Sequence, residues 1–313
     1  MLKYLTFAVK VQLNVHDLNN EAVAGNVTDI RIMEFLNEQG KKMEAPAVSG
    51  RMLKHWHYDA MRELINQGSY PNIPLCDGCK VGEPIKPGKF ENEKLTQVAK
   101  KDDKAIIESC ISCDVHGYLI AAGAKEEEER GISARRISRA MFSWLMPSLE
   151  SEFASKQVIH NRVSADPSFM MPFSKSYASG IYGFVSALDI DRIGLVEREL
   201  TSKSPYAIDD TKRKERARVV VEAYRYMISG KMGASLSHAI PHADPIEILV
   251  VYSETGPLPF PISPIYSDYV IKTKGLMPSG ASFLFWNKEG KEQAEIKPKD
   301  NIGAIFNELL SKL

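Results

Sequence analysis

Hydrophobic positions along the chain follow two periods. From Leu5 to Asn14 they alternate, with Leu5, Phe7, Val9, Val11 and Leu13 on one face and Thr6, Lys10, Gln12 and Asn14 on the other. Period two predicts a strand with one face on a core and a polar face toward water or a ligand. A second strand is expected over Ile30–Leu36. From Gly50 to Gln67 the period changes: Leu53, Trp56, Ala60 and Leu64 recur at steps of three and four, the apolar stripe of a helix lying on a core. Ser49 suits the N-cap and Gly68 the C-terminal cap. Arg51, Lys54, His55, Tyr58 and Arg62 fall largely on the other side. A helix N-terminus offers unpaired N–H groups and about half a positive charge, so Ser49, Gly50 and Arg51 make a candidate phosphate seat. An ordinary amphipathic helix with a solvated basic face fits the same residues.

Residues 69–109 read as an insertion punctuated by Pro71, Pro74, Pro84 and Pro87 and ending in a charged helical patch, Glu93 to Glu108. A strand is expected around Val115 to Ala122. Gln157 to Val163 leads to DPSFMMPFSKSYASG, read as an irregular loop with Met170, Met171, Pro172 and Phe173 at its tip; such a tip either inserts into a partner or is buried under its own domain. Ile181 to Ile190 is the best candidate for a central buried strand. Asp209 or Asp210 caps a helix from Thr211 to Ser229 with the stripe Ala217, Val220, Val221, Tyr224, Met227 and Ile228. The loop GKMGASLSH, Gly230 to His238, is basic and glycine-rich but lacks the GxxxxGK[ST] order of a nucleotide-binding loop. Ile246 to Tyr252 is a last strand, followed by a proline-laden crossing from Pro257 to Pro264, a hairpin near Phe283 to Ile296 and a helix from Asn301. The major elements run strand, helix, strand, strand, helix, strand. That order predicts an α+β, ferredoxin-like fold of the RNA-recognition type, with both helices on one face and the other face open, Lys10 and Gln12 pointing outward on it.

A chain of 313 residues accommodates one large domain with insertions or two domains, and 44% hydrophobic residues exclude wholesale disorder. Forty basic residues balance forty acidic ones, which argues against polyanion binding by the whole surface and leaves room for local basic grooves. The blocks KEEEER, Lys125 to Arg130, and KRKERAR, Lys212 to Arg218, read singly as solvated helix faces. No apolar run reaches the roughly eighteen residues of a membrane span, and the opening residues alternate, so a soluble cytoplasmic protein without a membrane partner is expected. Arg135, Arg136 and Arg139, with Ser133, Ser138 and Ser143 among them, suit a nucleic-acid backbone, guanidinium groups gripping phosphate in a fork. A surface helix pairing with the preceding glutamates suits them equally.

The four cysteines form two pairs, Cys76-Asp-Gly-Cys79 and Cys110-Ile-Ser-Cys113. Four thiolates in two such knuckles can close around a structural tetrahedral zinc; paired disulfides and free thiols are the alternatives. An all-sulfur site leaves no open position for water, which disfavours a catalytic metal.

SGR opening the first helix followed by KHWH, then RRISRAMFS, QVIHNRV, MPFSKSYASGIYGFVSALDIDRIG and the late GKMGAS loop resemble the backbone subunit of CRISPR effector (Cascade) complexes, in the archaeal subtype I-A branch described as the DevR-like autoregulator family. The resemblance runs over nearly the whole chain in order. It implies a modified RNA-recognition fold shaped as a hand: a palm of residues 1–68, 110–150 and 180–256, a finger inserted at 69–114, a thumb at 151–179, and a C-terminal hairpin and helix, 257–313, packing on the palm. It further implies head-to-tail stacking of copies along guide RNA, contact with other Cascade subunits, a sequence-independent grip on the sugar-phosphate backbone, and bases left free to pair with target DNA. The RNA contacts expected are Lys10, Gln12, Ser49, Gly50, Arg51, Lys54, His55, Arg135, Arg136, Arg139, His160, Arg162, Lys231, Met232 and Gly233, with Met171 and Phe173 as a wedge between bases. Paired CxxC motifs are not part of that family's general pattern, so zinc rests on ligand chemistry alone.

No catalytic residue and no catalytic cofactor is expected. The rival reading is an RNA endonuclease of the same superfamily with His160 as general base on a 2′-hydroxyl. A sequence-specific DNA-binding regulator finds no helix-turn-helix pattern in support. His55 and His57, at i and i+2, lie on different helix faces and are expected in RNA-contact or packing roles.

Overall fold

The computed structural model describes residues 2–15, 18, 21–24, 27–83, 85–98, 102–120, 134–150, 154–162, 171–229 and 240–313. The acidic block at 125–130 and the glycine-rich loop at 230–238 lie outside them. In chain order come β1 (Tyr4–Asn14), β2 (Glu21–Ala24), β3 (Val27–Ile30), β4 (Ile32–Leu36), β5 (Lys42–Pro46) and the long α1 (Gly50–Asn66). The insertion holds α2 (Asp77–Val81), β6 (Gly88–Glu91), β7 (Lys94–Gln97), α3 (Asp103–Ser109) and α4 (Ile111–His116). Short strands β8 (Tyr118–Ile120), β9 (Ala134–Arg136), β10 (Ala140–Phe142) and β11 (Met146–Pro147) lead to β12 (Ala154–Arg162) and the 19-residue β13 (Met171–Asp189). Then follow α5 (Asp210–Ile228), β14 (Ala243–Ser253), α6 (Tyr269–Leu276), β15 (Ser282–Asn287) and α7 (Ile302–Ser311).

The expected ferredoxin-like order holds. β14, β1 and β13 are antiparallel neighbours, Tyr4 facing Ser253 on one side and Asp189 on the other. β15 extends the sheet beyond β14. The strand that should flank β13 is broken into three: β10 pairs at Ala140 with Leu188, β11 at Met146 with Gly183, and β12 from Ala154 with Ser179 to Arg162 with Met171. The helical periods read from the sequence survive. The Ser49 hydroxyl accepts from the Met52 N–H, and Gly68, at φ +83°, closes α1 with its own N–H and that of Ser69 on Ile65 and Leu64. Asp209 caps α5 and Asn301 caps α7.

One core lies between the sheet and α1, α5 and α7, where Phe7 stacks on Tyr224 with ring centroids 4.3 Å apart. The opposite face of the sheet is not open. Ala8, Val185, Leu249 and Val251 form a second core there with Leu258, Tyr269, Val270 and Met277 of the C-terminal segment. β1 is therefore buried on both faces. Lys10 is 7% exposed, its ammonium held by Glu150 at 3.0 Å and Glu247 at 3.4 Å, so it does not point outward; Gln12 does.

Other expectations change for stated reasons. The patch Glu93 to Glu108 is not one helix, because β7 pairs with β6 and only α3 is helical. Val115 lies on α4, and the strand begins at Tyr118. Ile32–Leu36 pairs with β5 in a separate ribbon. α6 was not foreseen, and β15 pairs with β14 instead of forming a hairpin with the residues after it. In the Arg-rich stretch β9 turns Arg135 out and Arg136 in.

Arg136 converges with Arg216 of α5 on Asp114, which has no exposed surface. Both Asp114 carboxylate oxygens accept the Gly194 N–H, at 3.1 and 3.0 Å, Arg216 adds a bond of 2.7 Å, and Arg136 adds a second guanidinium. Glu197 completes the cluster by accepting from Arg136 and Arg139. The block at 212–218 is thus only partly a solvated face, since Arg213 and Arg216 are buried. Removing one member of a buried ion cluster leaves uncompensated charge and costs about 3–5 kcal/mol. Asp114→Ala should lose about that much stability in denaturant unfolding; a loss below about 1 kcal/mol would refute the cluster's weight.

Candidate nucleic-acid interface

α1 carries the site. Its N-terminus lies against β10 so closely that a Cβ on Gly50 would stand 2.3 Å from the Phe142 carbonyl oxygen. The partner that requires glycine here is the protein's own strand. The Ser49 hydroxyl is likewise engaged in capping its helix. What faces outward from this turn is cationic. Arg51 is exposed and Lys54 half-buried, and together they line two adjoining cavities. One, of about 590 Å³, is closed by Arg31, Gly50, Met141 and Trp144. The other, of about 260 Å³, is walled by His55, Tyr58, Lys86 and His116. Among the described residues neither Arg51 nor Lys54 has a carboxylate partner. Burial and the nearby Lys86 push the Lys54 ammonium down to about 8. His55 is paired with Asp59 at 3.2 Å, and that carboxylate also takes Arg62 at 3.4 Å.

The inner wall of this groove is aromatic and neutral. His57, fully buried, donates from Nε2 to the Val220 carbonyl at 3.0 Å. Its Nδ1 then accepts from His116 Nε2 at 3.0 Å, which fixes both tautomers and leaves His116 Nδ1 without a partner. Burial pushes His57 down to about 4 and His116 well below the usual histidine range. Of the two roles expected for His57, RNA contact or packing, the structure shows packing. Tyr58, expected on the basic side, is buried by the finger, its hydroxyl donating to the Cys79 carbonyl at 2.8 Å and its ring lying under the Lys86 ammonium at 4.2 Å.

The insertion after α1 brings the four cysteines together. Their sulfur atoms all lie within 4.8 Å of one another, Cys76 and Cys113 at 3.8 Å, and none is in a disulfide. Tetrahedral coordination at about 2.3 Å per sulfur requires sulfur separations of about 3.8 Å, so the cluster has the dimensions to hold a metal ion. Gly88 N–H donates to the Cys76 sulfur and Cys113 N–H to that of Cys110, each at 3.4 Å. Hydrogen bonds from Cys110 first and Cys113 second hold Cys76 and Cys79 below the usual thiol range, while burial pushes Cys110 up.

The remaining expected contacts separate into groups. Arg135 and Gln12 are exposed. Arg136 and Arg139 are buried in ion pairs, as is Lys10, and cannot meet a ligand without breaking them. The segment from Met171 is strand, not irregular loop: Phe173 stacks on His160 with centroids 5.2 Å apart, and Tyr177 Oη lies 2.8 Å from His160 Nε2. Arg162 and Met171 pair at the end of that ribbon. Lys231, Met232, Gly233 and Met170 lie outside the described residues. Arg31, Lys86, His116 and Asp114 were not singled out from the sequence. No motif spacing marks them; only the fold brings them to the groove or its support. Among the described residues no helix is long and apolar enough to cross a membrane.

Curated relatives match the chain over most of its length. A protein named CRISPR-associated protein Cas7/Cst2/DevR from Methanocaldococcus jannaschii is 28% identical over 306 residues, covering 90% of this chain and 91% of the relative. One of the same name from Thermoproteus tenax is 28% identical over 255 residues, 76% of this chain and 71% of the relative. A chain of a solved structure titled CRISPR RNA-guided surveillance complex shares the fold with a TM-score of 0.53 at 13% identity, over 99% of each chain. Another, titled CRISPR RNA-guided surveillance complex, pre-nicking, matches with a TM-score of 0.54 at 10% identity and the same coverage. Residues 7–274 match the family described as CRISPR-associated negative auto-regulator DevR/Csa2, and the chain belongs to that family.

Proposed function

We propose that this protein is a non-catalytic subunit of a CRISPR RNA-guided complex that stacks head to tail along guide RNA. It grips the sugar-phosphate backbone without regard to sequence, leaves bases free to pair with target DNA, and meets other Cascade subunits at its outer surfaces. The observation that carries this reading is the groove beside α1: Arg31, Arg51, Lys54 and Lys86 line it in a chain whose formal net charge is zero. Concentrated cations on a neutral protein suit a local polyanion contact, not a polyanion-coated surface. In this reading the palm is residues 1–68, 110–150 and 180–256, the finger 69–114, the thumb 151–179, and 257–313 the cover on the palm. Phe173 and Met171 on the β12–β13 ribbon serve as the wedge between bases, and Gln12, Arg135 and Arg162 are outlying contacts. Stacking without closure requires a heterologous interface and yields a helical filament.

Within the finger, zinc is the metal the four sulfurs suit best, since soft thiolates in a tetrahedron select it over oxygen-seeking cations. Its role is structural, all four positions being taken by protein. His160 fits packing better than base catalysis, because its Nε2 is already bonded to the Tyr177 hydroxyl and its ring is covered by Phe173.

Arg51→Ala should weaken binding of unrelated single-stranded RNAs by a similar factor, about three- to tenfold, with a shallower salt dependence; an effect confined to one sequence would overturn the backbone grip. Protein prepared without chelator should contain about one zinc per chain, and chelation should open residues 69–114 to proteolysis. Elemental analysis showing no zinc would end that assignment. Guide RNA incubated with the protein should remain intact, and His160→Ala should change nothing; a discrete cleavage product lost in His160→Ala would instead establish the nuclease.

A further inference from the structure

Among the described residues, Lys86 is the groove cation that the finger supplies. Its segment is pinned to the first cysteine knuckle at several points. Gly78 and Gly88 touch so closely that a Cβ on Gly88 would come 2.8 Å from the Gly78 Cα, and one on Gly78 would come 2.4 Å from the Ile85 carbonyl oxygen. Two residues after Lys86, the Gly88 N–H is bound to the Cys76 sulfur at 3.4 Å. Gln97 Nε2 holds the Lys86 carbonyl at 2.7 Å. The Lys86 ammonium rests over the Tyr58 ring at 4.2 Å, and that ring is itself fixed by its bond to the Cys79 carbonyl. From the second knuckle, α4 carries Cys113 to the cluster and, one turn on, His116 to the wall of the same cavity. Residues held by both knuckles, Lys86 and His116, thus line a cavity of about 260 Å³ together with Arg51 and Lys54.

Two ammonium groups and a guanidinium face this space. Asp59, a carboxylate on the same helix, is occupied by His55 and Arg62. Burial first and the neighbouring Lys86 second disfavour the charged Lys54, and an anion between these cations relieves the repulsive part of that cost. The Tyr58 ring in the cavity wall is already covered by the Lys86 ammonium at 4.2 Å, so an anionic phosphodiester group suits this space better than a stacked base.

We propose that Lys86 joins Arg51 and Lys54 as a ligand for one backbone phosphate of bound RNA, and that the cysteine cluster assembles this site, so that metal occupancy and RNA affinity are coupled through Lys86. The inference rests on the RNA-binding reading above. Coupling of this kind is reciprocal: RNA must then raise the affinity for the metal by the same factor.

The test is a cycle on the full-length protein with a short unstructured RNA, comparing wild type and Lys86→Ala, each zinc-loaded and chelated. Losing one phosphate contact to a single strand removes about 0.7 from the salt slope and lowers affinity about fourfold at 0.15 M salt. Lys86→Ala should show both effects while keeping its zinc, and Lys86→Arg should restore the slope. Chelation should bring wild type to the affinity of Lys86→Ala and leave Lys86→Ala unchanged within a factor of two. Equal losses on chelation in both proteins would overturn the coupling through Lys86, as would a Lys86→Ala salt slope equal to that of wild type. Failure of zinc-loaded wild type to bind RNA at all would instead strike the functional reading itself.

Discussion

A single buried carboxylate, Asp114, holds this molecule's parts in register. It lies on the six-residue α4, between Cys113, which turns into the sulfur cluster, and His116, which turns into the groove. Its own oxygens bind Arg136 from the short strands before the thumb, Arg216 from α5, and the backbone of Gly194 after β13. A carboxylate without solvent is tolerable only because two guanidinium groups and an N–H satisfy it. The same requirement makes its geometry strict. Finger root, second helix and central strand meet at one charge, so the finger is not a loosely tethered insertion.

The zero net charge conceals a sorting of cations into two uses. Arg136, Arg139, Arg213 and Arg216 are turned inward, where planar guanidinium groups bridge carbonyls and carboxylates of several segments at once. Arg31, Arg51, Lys54 and Lys86 are turned to the groove, without such carboxylate partners among the described residues. Counting basic residues cannot separate these populations. Arg135 and Arg136 are adjacent, yet strand alternation sends one to water and the other to Asp114.

What the sequence made legible follows the same physics. Helices α1 and α5 were readable with their caps, because a 3.6-residue stripe and a cap residue are local signals. The cysteine cluster was readable because paired knuckles constrain ligand spacing covalently. The strand order followed from the sequence of periods. The covered face of the sheet was not legible: Thr6 and Lys10 read as polar and outward, but the chain from Leu258 to Met277 buries them, and Lys10 is accommodated by Glu150 and Glu247. These partners are 140 and 237 residues away, a separation at which periodicity carries no information. The Arg-rich stretch misled for a related reason, since the counter-charges of Arg136 and Arg139 are Asp114 and Glu197, the latter about 60 residues further along the chain.

The β12–β13 ribbon shows what a long strand can do that a loop cannot. β13 has 19 residues, roughly 60 Å at about 3.3 Å each. Its C-terminal half is locked between β1 and the strands β10 and β11, and its N-terminal half runs beyond the end of β1 with β12 alongside and a short parallel contact to β3 at Ser174. The ribbon is therefore one continuous extension of the central sheet. Its stacked Phe173 and His160 are positioned by the same hydrogen-bond ladder that positions the core residues Tyr182 and Leu188. Continuous pairing of this kind leaves the ribbon little freedom relative to β1, because any bend in it must break the ladder that also runs through the core. The insertion after α1 is tied to the groove through its four-sulfur cluster, and the β12–β13 ribbon is tied to β1 through an unbroken strand; each device fixes a projecting segment to the sheet-and-helix body by short-range geometry.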